Sequence, residues 1–174
     1  MDFTAILDNT PLIGVGFALL MVVIFLVLVM LLRNRVDPYP YQLQEALFTP
    51  AERNFLQALD RAVGNHLRVF GKVRVADVVK VKSMKDRGQW QRAFNKISGK
   101  HFDYVLCDPR DLSVVCAVEL DDASHSQRKR IERDIFLEGV CAAAGLPLLR
   151  VPTSRHYDPR EIQQQLREVL QQAA

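Results

Sequence analysis

From Leu12 to Leu32 the chain reads LIGVGFALLMVVIFLVLVMLL, with no charged residue. This run constrains the fold more than any other stretch. About twenty apolar residues at a rise of about 1.5 Å are what a helix needs to cross a hydrocarbon core of about 30 Å. The expectation is therefore an uncleaved transmembrane helix over 12–32. A cleaved signal peptide needs a basic start and a small-residue cleavage site, whereas MDFTAILDNTP precedes the run and RNRVDP follows it. Arg33 and Arg35 flank its end while Asp2 and Asp8 lie before it. The positive-inside rule then predicts residues 1–11 outside and everything after the span in the cytoplasm.

The three cysteines, Cys107, Cys116 and Cys141, sit among apolar neighbours and form no CxxC pair, which suits a reducing compartment and small core residues. Net charge is +3, and since residues 1–32 hold two acids and no base, residues 33–174 carry +5. That balance permits an anionic partner, either the inner leaflet or nucleic acid.

Residues 33–48 hold two prolines and no sustained periodicity, and read as a linker before one domain over 49–174. The domain opens on TPAE, Thr49 to Glu52, a capping box followed by apolar Phe55, Leu59, Ala62 and Val63 at helical spacing. A half-buried strand with a kink at Gly71 is expected within Leu67 to Val81. A short helix follows through WQRAFNKIS, and then HFDYVLC and SVVCAVEL form a hairpin around DPRD, Asp108 to Asp111. A helix up to Gly145, a short strand in LPLLRVP and a last helix opening at DPRE complete the chain. This order describes a mixed α/β layer fold.

The chemistry concentrates in AVELDDASH, Ala117 to His125. Two-residue periodicity puts Glu119 and Asp121 on one face of their strand, and the hairpin brings Asp103 opposite about Val118. Three carboxylates so placed repel one another and raise each other's pKa, a cost that Mg²⁺ or Mn²⁺ removes. Such an ion lowers the pKa of a bound water and neutralises a phosphoryl oxygen, as phosphodiester hydrolysis requires. His125 can serve as acid or base, or contact a phosphate. Arg128, Lys129 and Arg133 begin the next helix, where positive charge opposes the helix dipole, so they are candidates for phosphate contact. Arg150 either joins them or anchors a carboxylate of the site. Competing roles stay open. Asp121 or Asp122 can cap the following helix, Asp103 can pair with Lys96 or Lys100, Glu52 is a cap before it is a site member, and Asp134 can pair with an arginine.

HFDYVLCD, AVELDDASH and RDIFLEGVCAAAGLPLLRV, with LFTPAERNFLQAL and RVFGKVRVADVV upstream, resemble the bacterial family called domain of unknown function 2726. That family is in turn similar to very-short-patch-repair endonucleases of the PD-(D/E)XK superfamily. The resemblance implies a restriction-endonuclease-like core of helix, three strands, helix and strand, with a C-terminal helix, behind the transmembrane segment. It puts Asp103 at the motif's first Asp, Glu119 at its (D/E), and Asp121 where most members have lysine; Lys96 or Lys100 are candidates to replace that lysine. Asp121, His125 and Asp134 follow the patch-repair branch. The expected function is a single-pass inner-membrane, Mg²⁺- or Mn²⁺-dependent nuclease acting on nucleic acid, DNA before RNA. The alternative is a catalytically inactive, membrane-tethered nucleic-acid-binding or scaffold module of the same fold.

Overall fold

The computed structural model describes residues 10–33, 39–121 and 128–173, with side chains over 15–31, 39–121 and 132–173. The chain divides into two compact units, Met1–Glu45 and Ala46–Ala174.

The first unit holds helix α1, Thr10–Arg33. Its described side chains, residues 15–31, are almost all exposed. Among the described residues no helix is long and apolar enough to cross a membrane. This finding overturns the transmembrane helix expected over 12–32. It overturns with it the transmembrane part of the expected fold class and the single-pass inner-membrane placement with the N-terminus out.

The second unit is a mixed α/β layer structure around a four-stranded sheet of order β1-β2-β3-β4. Helix α2 (Pro50–Val63) starts where its capping box dictates. Glu52 N donates to Thr49 Oγ1 at 3.3 Å, and Thr49 N donates back to Glu52 Oε2 at 2.8 Å. Phe55, Leu59, Ala62 and Val63 are all buried, the first two completely, and each full burial is worth about 2 kcal/mol. Strand β1 (Arg68–Arg74) ends seven residues before the expected Val81, in a one-turn helix α3 (Val75–Val78). The β-branched run there favours a strand locally, but the fold overrides it. Val75 is fully buried and donates its N–H to Lys100 O at 2.8 Å, and Arg74 grips Asp77 at 2.5 Å. Helix α4 (Arg87–Ser98) begins earlier than expected because Asp86 accepts from Gly88 N (2.7 Å) and Gln89 N (3.3 Å).

Strands β2 (His101–Cys107) and β3 (Val114–Asp121) form the antiparallel hairpin, with Tyr104 opposite Val118. Helix α5 (Arg128–Ala144) leads to β4 (Leu148–Pro152), which runs parallel to β3 with Arg150 beside Glu119. Helix α6 (Pro159–Gln172) closes the chain, its start held by Asp158 accepting from Arg160 N at 2.8 Å.

Side-chain alternation sorts the sheet into two faces. Tyr104, Leu106, Cys116, Val118, Leu149 and Val151 pack under α2 and α6, where Ile162 and Leu166 complete the cluster. Val105, Cys107 and Ala117 face the other way, against Val75, Ile97, Leu137 and Cys141. The three cysteines are unpaired and buried, and burial pushes each thiol's pKa up. Polar residues, Asp103, Glu119, Asp121 and Arg150, gather at the end of the sheet where β2 begins and β3 and β4 end.

Candidate active site

Continuing the hairpin register by one residue beyond Tyr104↔Val118 puts Asp103 directly opposite Glu119, one position from where counting outward from the turn had put it. The strands therefore bring two carboxylates to the same face at adjacent positions. Asp103 Oδ2 accepts from Leu120 N at 3.0 Å, which ties the pair across the ladder.

Glu119 is the one buried charged side chain among the described residues, 5% exposed. Its Oε2 lies 3.5 Å from the Arg133 guanidinium, while Oε1 is buried with no hydrogen-bond partner among the described residues. Burial first, and then the neighbouring Asp103, push its pKa up to about 7. A carboxyl in that condition is costly when ionised and sits poised near neutrality.

Two residues on, Asp121 meets the opposite environment. Arg150 holds it through both oxygens, Nε to Oδ2 at 2.8 Å and Nη2 to Oδ1 at 2.5 Å. The same guanidinium reaches Asp134 at 3.3 Å and Glu138 at 2.9 Å on α5. Its charge is locked in, since the bond to Asp121 raises its pKa above the ordinary arginine value. Of the two roles open to Arg150, the geometry fits the anchor: its fork is spent on carboxylates. Asp134 likewise pairs with arginine.

Two groups that sequence reasoning left at the margin complete the wall. Glu52 serves its capping box and also holds the Lys72 ammonium through Oε1. Lys72 lies 3.7 Å from Asp103 Oδ1 and has a φ of 55°. That left-handed conformation costs a non-glycine residue about 1–3 kcal/mol. It falls opposite Asp103, between the paired positions Gly71↔Tyr104 and Val73↔Phe102. The expected kink is thus at Lys72, and Gly71 has another reason to be glycine: a Cβ there would lie 2.1 Å from Phe48 Cζ. Phe48 stacks on Tyr104, whose hydroxyl donates to Glu52 O at 2.7 Å and fixes the start of α2 against the sheet. Sequence alternation along β1 marked Lys72 as polar. Only the β1–β2 register, set across the 26 intervening residues, shows which carboxylate it meets.

These groups line a cavity of about 870 Å³. Among the expected residues, Asp103, Glu119, Asp121, Arg133 and Arg150 lie in its wall. His125 falls outside the described residues, and Arg128 and Lys129 belong to the first turn of α5 with their side chains outside the description. Lys100 also lines the cavity, whereas Lys96 does not.

A family model described as a protein of unknown function, DUF2726, matches residues 44–170. The chain belongs to the DUF2726 family. The match spans the whole α/β unit from just before α2 to within α6, so every residue of the cavity lies inside it. No curated protein and no solved structure matches the chain.

The donor set answers in part whether the residues suit the divalent cation that the resemblance implies. Among the described residues no group of three or more His, Cys, Asp or Glu is placed to hold a metal ion. Asp121, the third expected ligand, has both oxygens committed to Arg150. Asp103 and Glu119 do fit. They are adjacent carboxylates, one with an orphaned buried oxygen, and Mg²⁺ commonly binds through one or two carboxylates plus waters and substrate phosphate.

Proposed function

We propose that the DUF2726 unit of this chain is a divalent-metal-dependent phosphodiesterase acting on nucleic acid, DNA before RNA. The observation that carries the reading is the buried, unpartnered Oε1 of Glu119 beside Asp103 in a polar cavity. Buried polar atoms without a partner are rare, and an ion or substrate group from outside the chain is one means of satisfying this one. The order helix, strand, strand, strand, helix, strand, with short helices inserted after the first strand, supports the likeness to the PD-(D/E)XK nucleases.

In this reading Asp103 and Glu119 hold Mg²⁺ or Mn²⁺, which when bound lowers the pKa of water and neutralises phosphoryl charge. Lys72 stands near the carboxylate pair and supplies the ammonium that Asp121 replaces in the motif, in preference to Lys96 or Lys100. Its four-carbon stem lets it leave Glu52 for a phosphate oxygen or the attacking water. Arg133 lies 3.5 Å from Glu119 and, with a cation held by that carboxylate, would be available to bind phosphate. Asp121, tied to Arg150, joins the end of β3 to β4 and, through Asp134 and Glu138, to α5. His125 stays a candidate for proton transfer, and Arg128 and Lys129 for backbone contact.

The second reading, an inactive nucleic-acid-binding or scaffold module, is favoured by one observation: the Asp121–Arg150 pair fills the place where most PD-(D/E)XK members present lysine. The two separate in a single assay. The full chain is expected to nick supercoiled plasmid with Mn²⁺ or Mg²⁺, and Glu119→Ala is expected to lower the rate by at least about a hundredfold. A folded protein that binds no Mn²⁺ by calorimetry and cuts neither DNA nor RNA would rule the enzyme out.

A further inference from the structure

Charge is distributed unevenly over the domain. Residues 72–100 hold nine basic and two acidic residues, a net +7 in a chain whose total is +3. Both acids are used locally, Asp77 by Arg74 and Asp86 as the α4 cap and by Arg92 at 4.0 Å. Lys80, Lys82, Lys85, Arg87 and Lys96 are exposed and have no carboxylate partner among the ion pairs of the described residues.

The arrangement of Lys80, Lys82 and Lys96 is not that of an ordinary solvated face, because they rim a groove. A cavity of about 580 Å³ lies between the segment after α3, helix α4 and helix α5. Lys80, Lys82, Arg92 and Lys96 stand around it and no acidic residue lines it. Its floor is apolar: Val81, Met84, Phe136 and Val140. The groove also adjoins the candidate active site, since Lys100 lines the active-site cavity while its ammonium lies 5.2 Å from the ring centroid of Phe136.

We propose that this groove is the path by which single-stranded nucleic acid reaches the carboxylate pair. An apolar floor beneath a ring of ammonium groups matches such a strand, whose bases offer apolar faces and whose phosphates need cations. The inference rests on the nuclease reading and moves the main binding surface to the β1–β2 connection. The cluster at the start of α5 becomes secondary.

The test is fluorescence anisotropy of a fluorescein-labelled oligothymidylate on the full chain in EDTA, so that binding is read without cleavage. Lys80→Gln, Lys82→Gln and Lys96→Gln together remove three exposed charges, and far-UV circular dichroism is expected to stay unchanged. Affinity is expected to fall about tenfold or more at low salt, with a salt slope shallower by about 2. Equal binding by the wild type and the triple variant, or no binding by the wild type, overturns the inference. So does a groove that binds an acidic amphipathic peptide through these lysines while oligonucleotide binding is untouched. Lysine-dependent binding without any Mn²⁺-dependent cleavage sinks the nuclease reading and leaves the groove standing. Cleavage whose KM ignores the three lysines does the reverse.

Discussion

Glu119 and Asp121 leave β3 on the same face, two residues apart, yet they live in opposite electrostatic neighbourhoods. Glu119 is buried against another carboxylate with one oxygen unsatisfied, whereas Asp121 is 40% exposed and gripped at both oxygens by an arginine that also serves Asp134 and Glu138. Identical charge and near-identical position produce a strained site in one case and a structural clamp in the other. The difference lies in what β4 and α5 bring to each. A bidentate arginine holds one carboxylate, while the other is buried, its pKa pushed up to about 7 despite Arg133 at 3.5 Å.

Breaking the clamp should have the largest effect. Arg150→Met leaves three partly exposed carboxylates without their shared cation, and loss of about 2–3 kcal/mol, up to about 1 for each solvent-screened pair, is expected in urea unfolding at pH 7. Asp121→Asn should cost clearly less, since Arg150 keeps Asp134 and Glu138. Equal losses would show that the clamp is one pair and not a hub.

Relieving the strained carboxylate should act in the other direction. Its folded-state pKa is about 7 against an ordinary 4.5, so the folded chain holds the proton more tightly than the unfolded chain. The penalty is therefore absent below about pH 4.5, grows as pH rises through that window, and is complete above about pH 7. Glu119→Gln should raise stability by about 2–3 kcal/mol at pH 8 and leave it nearly unchanged at pH 4. Melting curves of both proteins across that range check it; parallel pH profiles would show that Glu119 ionises freely.

The smallest effect is expected between the two neighbourhoods, at Lys72. Lys72→Met removes the cation from Glu52 and Asp103 but keeps the left-handed backbone, so stability should fall by about 0.5–1 kcal/mol. The Glu119 titration followed by NMR should move upward, because Asp103 then loses a positive neighbour. An unchanged titration would separate Lys72 from the pair.

Much of this was legible without coordinates. The capping box at Thr49, the N-cap at Asp158, the helical spacing from Phe55 to Val63 and the DPRD turn are local signals, and local hydrogen bonding enforces them. The hairpin between β2 and β3 is short enough that Asp103 could be brought within one residue of Glu119. Lys72 was not legible in its role, because its partner depends on a register set across 26 residues. Nor was the fate of Asp121, which depends on a crossover helix and a parallel strand returning Arg150 to its side. The apolar run at 12–32 misled in a different way: its composition implied a span, while among the described residues no helix is long and apolar enough to cross a membrane.

Sequence by itself determined the elements, the faces they bury and the gathering of acids at the end of β3, because periodicity and capping act within a few residues. Tertiary structure alone decided which acid is buried with a raised pKa and which is clamped by arginine. That choice needs desolvation by α5, a counter-charge from β4 and a lysine from β1, three contributions distant in the chain that meet only when the sheet is assembled.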